Sequence, residues 1–554
     1  MRAGDQADGL YLLGSGRVQV LYVNDDGTET AVNELGRGEV IGEMSLLTDR
    51  PRSATIIALR DSHLLFLSTE AFTRVVRTHP DALRAVSTAL VERFLALRHS
   101  AAATSPVTTI VVVPLDDSVH TRELPRRLAT SLAKCVGSVR VVTEADLRAE
   151  LGSNSSTLDR AVWREQVEAS NGAVVSVAGQ EFDQWTDECV QHADLVLFAA
   201  AAASDRRPRQ IEQELLRHFG GDTRRVELLL LHDPTIVWPR GVRHWMRDRT
   251  IDRHHNVRVD RDSDYDRVAR LLTGNALGVV LSGGGARGIA HFGVLKALNA
   301  RGIVIDAVGG ASIGSIVGGG VVRLDRPEDT AAELRVAIAN RSPVDLTFPA
   351  VSFARGQRVT QLIKDAAQGH DIEDAWLPGF CVSANLTRGA LEIHDRGPAW
   401  LAIRSSFAVP GLFPPMRNDE GDVLVDGGII NNLPVTPMRA IHAGITVIAI
   451  DVGARRDFVS SKSVSKTGIV SGWRFLATSL RQRALDDLTS LPRILMRLTE
   501  LGSLGSDDRG DCYVRPALEG VSLLDFDRFD ELIAMGERDA EPALDAWLAL
   551  NPRS

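Results

Sequence analysis

Residues 281–298 read LSGGGARGIAHFGVLKAL, and the fold of the C-terminal half turns on what this stretch is for. Gly283, Gly284, Gly285, Arg287 and Gly288 lie between the apolar run LGVVL and a helical pattern. Gly283, Gly285 and Gly288 make G-x-G-x-x-G, the spacing with which dinucleotide-binding folds cradle a phosphate. Asp306, in IVIDAVGG, follows about twenty positions on, where such a fold keeps the acidic partner of a ribose. The loop therefore suits either a bound phosphate or an oxygen that becomes negative only during a reaction.

The next motif decides between them. Immediately after Asp306 comes GGASIGS, in which Gly310, Ser312 and Gly314 form G-x-S-x-G. This is the pattern of a nucleophile elbow, a sharp strand-to-helix turn that exposes a serine while glycines admit the neighbouring backbone. A dinucleotide fold has no use for it. With the elbow one βα unit downstream, the glycine loop reads as a cluster of N–H groups at a helix start, suited to a tetrahedral oxyanion.

A serine hydroxyl needs a base. His291 falls in the first helical turn after the loop and reads as packing or loop support. His394, in LEIHDRG, reads as an exposed strand end, and neither it nor His442 sits in a motif of a triad histidine. Asp426 is the stronger candidate, since DVLVDGGIINNLP ends an apolar strand with this carboxylate and follows it with Gly427 and Gly428. An ordinary aspartate, with a pKa near 3.9, is a poor base, so burial beside the serine has to raise it.

At 554 residues the chain is too long for one core. Apolar residues make up 44% and charged residues 24%, a globular composition. A net charge of −9 argues against a nucleic-acid binder. The four cysteines, Cys135, Cys189, Cys381 and Cys512, form no C-x-x-C pair, so neither a metal site nor a disulfide framework is expected. The N-terminus lacks the build of a signal peptide, and no apolar run approaches the ~18 residues of a membrane span. A cytoplasmic protein follows, with at most peripheral membrane contact.

Three segments emerge, placed at 1–104, 105–272 and 273–554. The first holds short β-runs between glycine turns and then a helical pattern from Glu70, which indicates a β-roll with a C-terminal helix. AAATSPV at 101–107 reads as a linker. In the second, runs such as TTIVVVPL and RVELLLLHDP alternate with helical stretches, as in a Rossmann-like α/β domain with a parallel sheet, and no catalytic motif appears there. The third is also α/β; its polar stretch 454–475 reads as an excursion from the fold.

Within the first segment, GEMSLLTDRPRSAT (42–55) has the makings of an anion cradle. Backbone N–H groups at a helix start favour negative charge, Arg52 offers a forked contact to phosphate, Glu43 suits a ribose hydroxyl and Ser53 a phosphate oxygen. The stretch resembles the phosphate-binding cassette of cyclic-nucleotide-binding domains. That resemblance implies a site lined by Gly42, Glu43, Arg52, Ser53 and Ala54, with cAMP or cGMP as regulatory ligand. Such domains carry further elements before GDQADGLYLL, so a roll lacking an edge is expected.

Taken together, LSGGGARG, VGGASIGS, VPGLFPP, LVDGGIINNLPV, VIAIDVG and DFDRFDELIAMG closely resemble the patatin-like phospholipase family, in its neuropathy target esterase branch. The resemblance implies a serine esterase with a Ser312–Asp426 dyad, and an oxyanion hole from Gly283, Gly284, Gly285, Arg287 and Gly288. It implies no required cofactor, and a lysophospholipid or phospholipid substrate cleaved through an acyl-enzyme. VPGLFPPM (409–416) borders either the acyl entrance or nothing but packing, and Arg287 either meets an anionic head group or braces the loop. Two other readings stand beside this one: a cyclic-nucleotide-responsive sensor without catalysis, and a dinucleotide-dependent oxidoreductase.

Overall fold

The computed structural model describes residues 1–23, 29–48, 50–79, 81, 107–152, 155–219, 225–323, 327–340, 344–348, 351–453, 508–523 and 525–551. The helical pattern beyond Glu70 is thus described only to Thr78; the linker up to Pro106 and the 454–475 excursion fall outside these residues. The chain forms two compact units, Met1–Ala276 with Arg439–Ile445, and Leu277–Met438 with Thr446–Ser554.

The first unit opens with two small antiparallel sheets. One orders Val40–Ile41, Gly9–Ser15 and His63–Ser68, the other Glu29–Leu35, Val18–Val23 and Thr55–Ala58. Alternation puts Leu13, Val18, Leu35 and Ile41 into one apolar cluster, as a half-buried strand requires. The strand His63–Ser68 stands at a sheet edge, and its Leu65 is 65% exposed. Ser68 caps the following helix, its hydroxyl accepting the Ala71 N–H at 3.2 Å.

A six-stranded parallel sheet follows, in the spatial order Arg253–Arg258, Arg225–His232, Leu195–Ala201, Thr109–Pro114, Ala173–Val177, Val139–Val142. These strands are apolar runs because both faces are covered. Leu124, Leu128 and Tyr265 pack on one face, Trp163, Trp185 and Leu215 on the other. The third strand in sequence, not the second, lies beside the first, so the order differs from the usual dinucleotide-binding one.

The roll is fastened to this sheet through Asp194, whose side chain is buried. Its Oδ1 faces Arg17 Nε at 3.1 Å and Arg60 Nε at 2.8 Å, while Oδ2 accepts the N–H groups of Thr108 (2.9 Å) and Thr109 (3.0 Å). These partners hold the Asp194 carboxyl below its usual pKa despite the burial that opposes them.

The second unit is built on an eight-stranded mixed sheet. Leu277–Leu281 lies at its centre, parallel to Ala307–Ala311 on one side and Thr446–Ile450 on the other. Gly379–Asn385 runs parallel to Ala307–Ala311, and Val423–Asp426 pairs antiparallel to it with Ser383 opposite Asp426. The carboxyl ends of three central strands therefore lead into the glycine loop, the serine elbow and Gly453. Behind them, helix Ala290–Ala300 packs against Phe529–Leu550 at glycine-scale distance. A Cβ on Gly293 would lie 2.0 Å from Ile533 O, and one on Gly536 2.1 Å from Ala290 O.

Candidate active site

Ser312 sits between the strand Ala307–Ala311 and the helix Ile313–Arg323 with φ of 52°, left-handed backbone that a side chain rarely accepts. Surrounding contacts impose it. The Ser312 N–H donates to Ser406 Oγ at 3.0 Å, and its carbonyl accepts from Ser315 N–H (2.9 Å) and Ser315 Oγ (2.6 Å). Gly310 and Gly314 make the turn sterically feasible, since added Cβ atoms would lie 2.5 Å from Gly314 C and 2.2 Å from Leu281 O.

Asp426 ends its strand 1% exposed. Its own N–H donates to Ala408 O at 3.0 Å, and its Oδ1 accepts the Gly428 N–H at 2.8 Å. Burial pushes the carboxyl up from 3.8 to about 6, opposed by the nearby Ser312 hydroxyl and by the Gly428 N–H. The hydroxyl is close enough to favour the charged form, yet no well-aligned bond closes between the two side chains. Asp426 Oδ2 is buried without a hydrogen-bond partner among the described residues. Gly427 lets this strand end pass its neighbour, because a Cβ there would lie 2.3 Å from Val382 O.

The glycine loop lies against the serine, a Cβ on Gly283 meeting Ser312 Cβ at 3.0 Å. The Gly283 N–H is not free. It is shared between Asn432 O (3.2 Å) and Asn432 Oδ1 (3.1 Å), and Asn432 Nδ2 returns a bond to Gly283 O at 3.3 Å. Ala286 N–H is taken by Leu523 O at 2.9 Å. The N–H groups of Gly284 and Gly285 make no hydrogen bond among the described residues, so two donors are left over. Gly285 has φ of 58° and no space for a side chain, a Cβ there falling 2.5 Å from Leu523 O. Gly288 packs on Ile313, and Arg287 is buried with its Nε donating to Val521 O at 3.0 Å. Of the two roles open to Arg287, this contact favours bracing.

None of the three histidines hydrogen-bonds to Ser312 or Asp426 among the described residues. His291 is fully buried and donates from Nε2 to Ser282 O at 2.9 Å; burial lowers its pKa to about 4, so it is neutral. His394 is not an exposed strand end as its sequence suggests: it is half-buried and hydrogen-bonds with Ser383 Oγ at 2.7 Å. His442 is buried and belongs to the other unit. Asp306 is also buried, its Oδ2 accepting the Leu277 N–H at 3.0 Å, which ties it to the adjoining strand.

Sequence reading missed Asn432 and Ser406. IINNLP carried a signal for the first, an amide two residues before a proline after D-G-G; nothing local marks Ser406.

In the roll, Gly42 (φ 83°), Glu43 and Arg52 come together, while Ser53 is exposed and Ala54 half-buried. Glu43 opens the helix Glu43–Thr48. Arg52 is already occupied: Nη1 donates to Gly42 O (3.0 Å), and Nη2 to Gly9 O (2.7 Å) and Asp8 Oδ1 (2.5 Å). A phosphate at this position has to compete with the Asp8 carboxylate, a partner sequence reading did not include.

Residues 279–439 match the family profile described as patatin-like phospholipase, 106–267 that of the neuropathy target esterase family P-loop-like domain, and 1–79 that of the cyclic nucleotide-binding domain. The chain is 30% identical to lysophospholipase NTE1 of Mycosarcoma maydis, over 99% of this chain and 33% of that protein. It is 28% identical to patatin-like phospholipase domain-containing protein 7 of Rattus norvegicus, over 99% and 45%. The neuropathy target esterase sws of Drosophila melanogaster is also 28% identical, over 97% and 41%. The chain thus spans between a third and a half of the length of these relatives. With these three domains in this order, it is similar throughout to the neuropathy target esterase branch of the patatin-like phospholipase family.

Proposed function

We infer that the protein is a serine esterase that hydrolyses fatty-acyl esters of lysophospholipids or phospholipids through Ser312 and Asp426. One observation carries this reading: a buried carboxylate with a pKa near 6 beside a serine held at φ 52°. A base of that pKa is largely ionised at neutral pH yet basic enough to take a proton in the transition state. Ser312 Oγ attacks the acyl carbonyl as Asp426 takes its proton. The oxyanion is met by the unoccupied N–H groups of Gly284 and Gly285, each such donor worth roughly 3–4 kcal/mol in the transition state. The proton passes to the departing alcohol, leaving acyl-Ser312; water activated by Asp426 then releases the fatty acid.

In this reading residues 273–554 are the catalytic domain, and residues 105–272, read as Rossmann-like, are scaffold. Residues 1–104 are a regulatory domain that takes cAMP or cGMP at Gly42, Glu43 and Arg52. Among the described residues no helix is long and apolar enough to cross a membrane; we place the protein in the cytoplasm, touching lipid peripherally. The names of the relatives, lysophospholipase and patatin-like phospholipase, support the substrate class. Ser312→Ala should abolish labelling by a fluorophosphonate probe and release of fatty acid from lysophosphatidylcholine. A variant that still labels would overturn the assignment of the nucleophile.

A further inference from the structure

The loops that follow Leu195–Ala201 and Arg225–His232 leave the carboxyl ends of two adjacent strands of the six-stranded parallel sheet. In the second loop Ile236 and Val237 are 40% and 88% exposed. Asp233 fixes this tip. Its Oδ1 accepts from the Thr235 N–H (2.9 Å) and the Thr235 hydroxyl, and its carbonyl accepts the Ile236 N–H at 3.1 Å. Trp238 is half-buried and Pro239 buried, so the chain returns to the fold directly behind the two apolar side chains. Single exposed apolar residues mean little, and the case rests on what surrounds these two.

The tip stands among arginines. The short helix Val242–Met246 buries Val242, Trp245 and Met246, and leaves Arg243 and Arg247 in water, with Arg240 exposed just before it. The first loop adds Arg206 and Arg207, both exposed. Two contacts hold the loops side by side. A Cβ on Gly241 would fall 2.9 Å from Arg206 Nη1, and Arg249 Nη1 donates to Arg206 O at 2.9 Å. Arg249 is itself clamped, its Nη2 donating to Glu212 Oε1 at 3.0 Å. Asp205 pairs with Arg207 and Arg209, whereas Arg206, Arg240 and Arg247 make no ion pair among the described residues. On a chain of net charge −9, these three guanidinium groups stand unneutralised around an apolar tip.

We propose that the 233–247 segment, together with Arg206, docks the protein on an anionic lipid surface, Val237 entering the headgroup layer and the arginines meeting lipid phosphates. A small apolar tip flanked by basic side chains suits the headgroup boundary of a lipid layer, where each arginine adds attraction to anionic lipid. A single-stranded nucleic acid suits it less, because its bases stack on exposed aromatic rings, and here Trp245 is buried and Trp238 half-buried. The use of the docking rests on the esterase reading, since a hydrolase of aggregated lipid gains by staying on the aggregate; the docking itself does not.

The test uses the full chain, floated with phosphatidylcholine vesicles with and without one-fifth phosphatidylglycerol. The parent should float with the anionic vesicles and less with the neutral ones. Arg206→Ala with Arg240→Ala and Arg247→Ala should lower partition onto the anionic vesicles by about fivefold per arginine, on the order of 10²-fold together. Val237→Asp should lower it by about tenfold on both kinds of vesicle, the effect of losing one buried apolar side chain. The urea midpoint, and turnover of p-nitrophenyl butyrate, a monomeric ester, should match the parent in both variants. Failure of the parent to float with anionic vesicles, or unchanged flotation in either variant, overturns the proposal. So does a parent that binds a single-stranded oligonucleotide through these arginines but no vesicle, or a parent dimer that Val237→Asp dissociates on size exclusion. Absence of butyrate turnover in a parent chain that floats would strike the esterase reading alone.

Discussion

Replacing Asp426 by Asn should stabilise the fold while removing the activity. The carboxyl titrates near 6 in the folded chain against 3.8 for an unperturbed aspartate, because burial disfavours its charge. Between those two values the folded state binds more protons than the unfolded one, so stability falls as pH rises from about 4 to 6 and stays lower above. The difference of about two units corresponds to roughly 3 kcal/mol. Asparagine has nearly the same shape and carries no charge; its Oδ1 can still accept the Gly428 N–H, and its Nδ2 faces the Ser312 hydroxyl. Urea denaturation at pH 8 should show the variant more stable by up to roughly 3 kcal/mol, with that margin shrinking towards zero near pH 4. Fatty-acid release should fall by about 10²–10⁴, the usual loss for a general base. A variant less stable than the parent at pH 8, or a margin that does not change with pH, would refute the claim that burial strains this carboxylate.

Three further outcomes follow from the same geometry. The parent kcat/KM should rise about tenfold per pH unit below 6 and level off above it, since the base must be ionised; a flat profile between pH 5 and 7 would exclude Asp426 as the base. Ser312→Gly should relieve the left-handed strain and raise stability by about 1 kcal/mol in the same denaturation assay, with no activity remaining. Asn432→Ala removes the two side-chain bonds that anchor Gly283, Oδ1 on its N–H and Nδ2 on its carbonyl, and leaves only the backbone bond to residue 432, so kcat should drop up to about 10²-fold with KM little changed, read from steady-state kinetics on a soluble ester.

The strand ends that carry Ser312 and Asp426 were legible as turns because their constraints are local. A serine between glycines after an apolar run, and a carboxylate before two glycines, announce turns that other residues cannot make. The neighbours that hold these turns were not legible, because they come from far along the chain. Asn432 reaches Gly283 across 149 positions and Ser406 reaches Ser312 across 94, and no pattern in either segment encodes the meeting. Alternation of strands and helices announced the middle parallel sheet, but not which strand would lie beside the first. Arg52 was read as a phosphate ligand from its cassette alone, whereas Asp8, 44 positions earlier, already occupies it. His394 illustrates the same limit: a strand end beside charged residues looks solvated until Ser383 is found opposite.

Asp194 bears on how firmly the roll is held against the parallel sheet. Tilting the roll away from the parallel sheet would withdraw both guanidinium groups and leave the buried carboxylate with only the Thr108 and Thr109 N–H groups, a state that costs several kcal/mol. The roll and the sheet beneath it are thereby held together as one piece within the first unit.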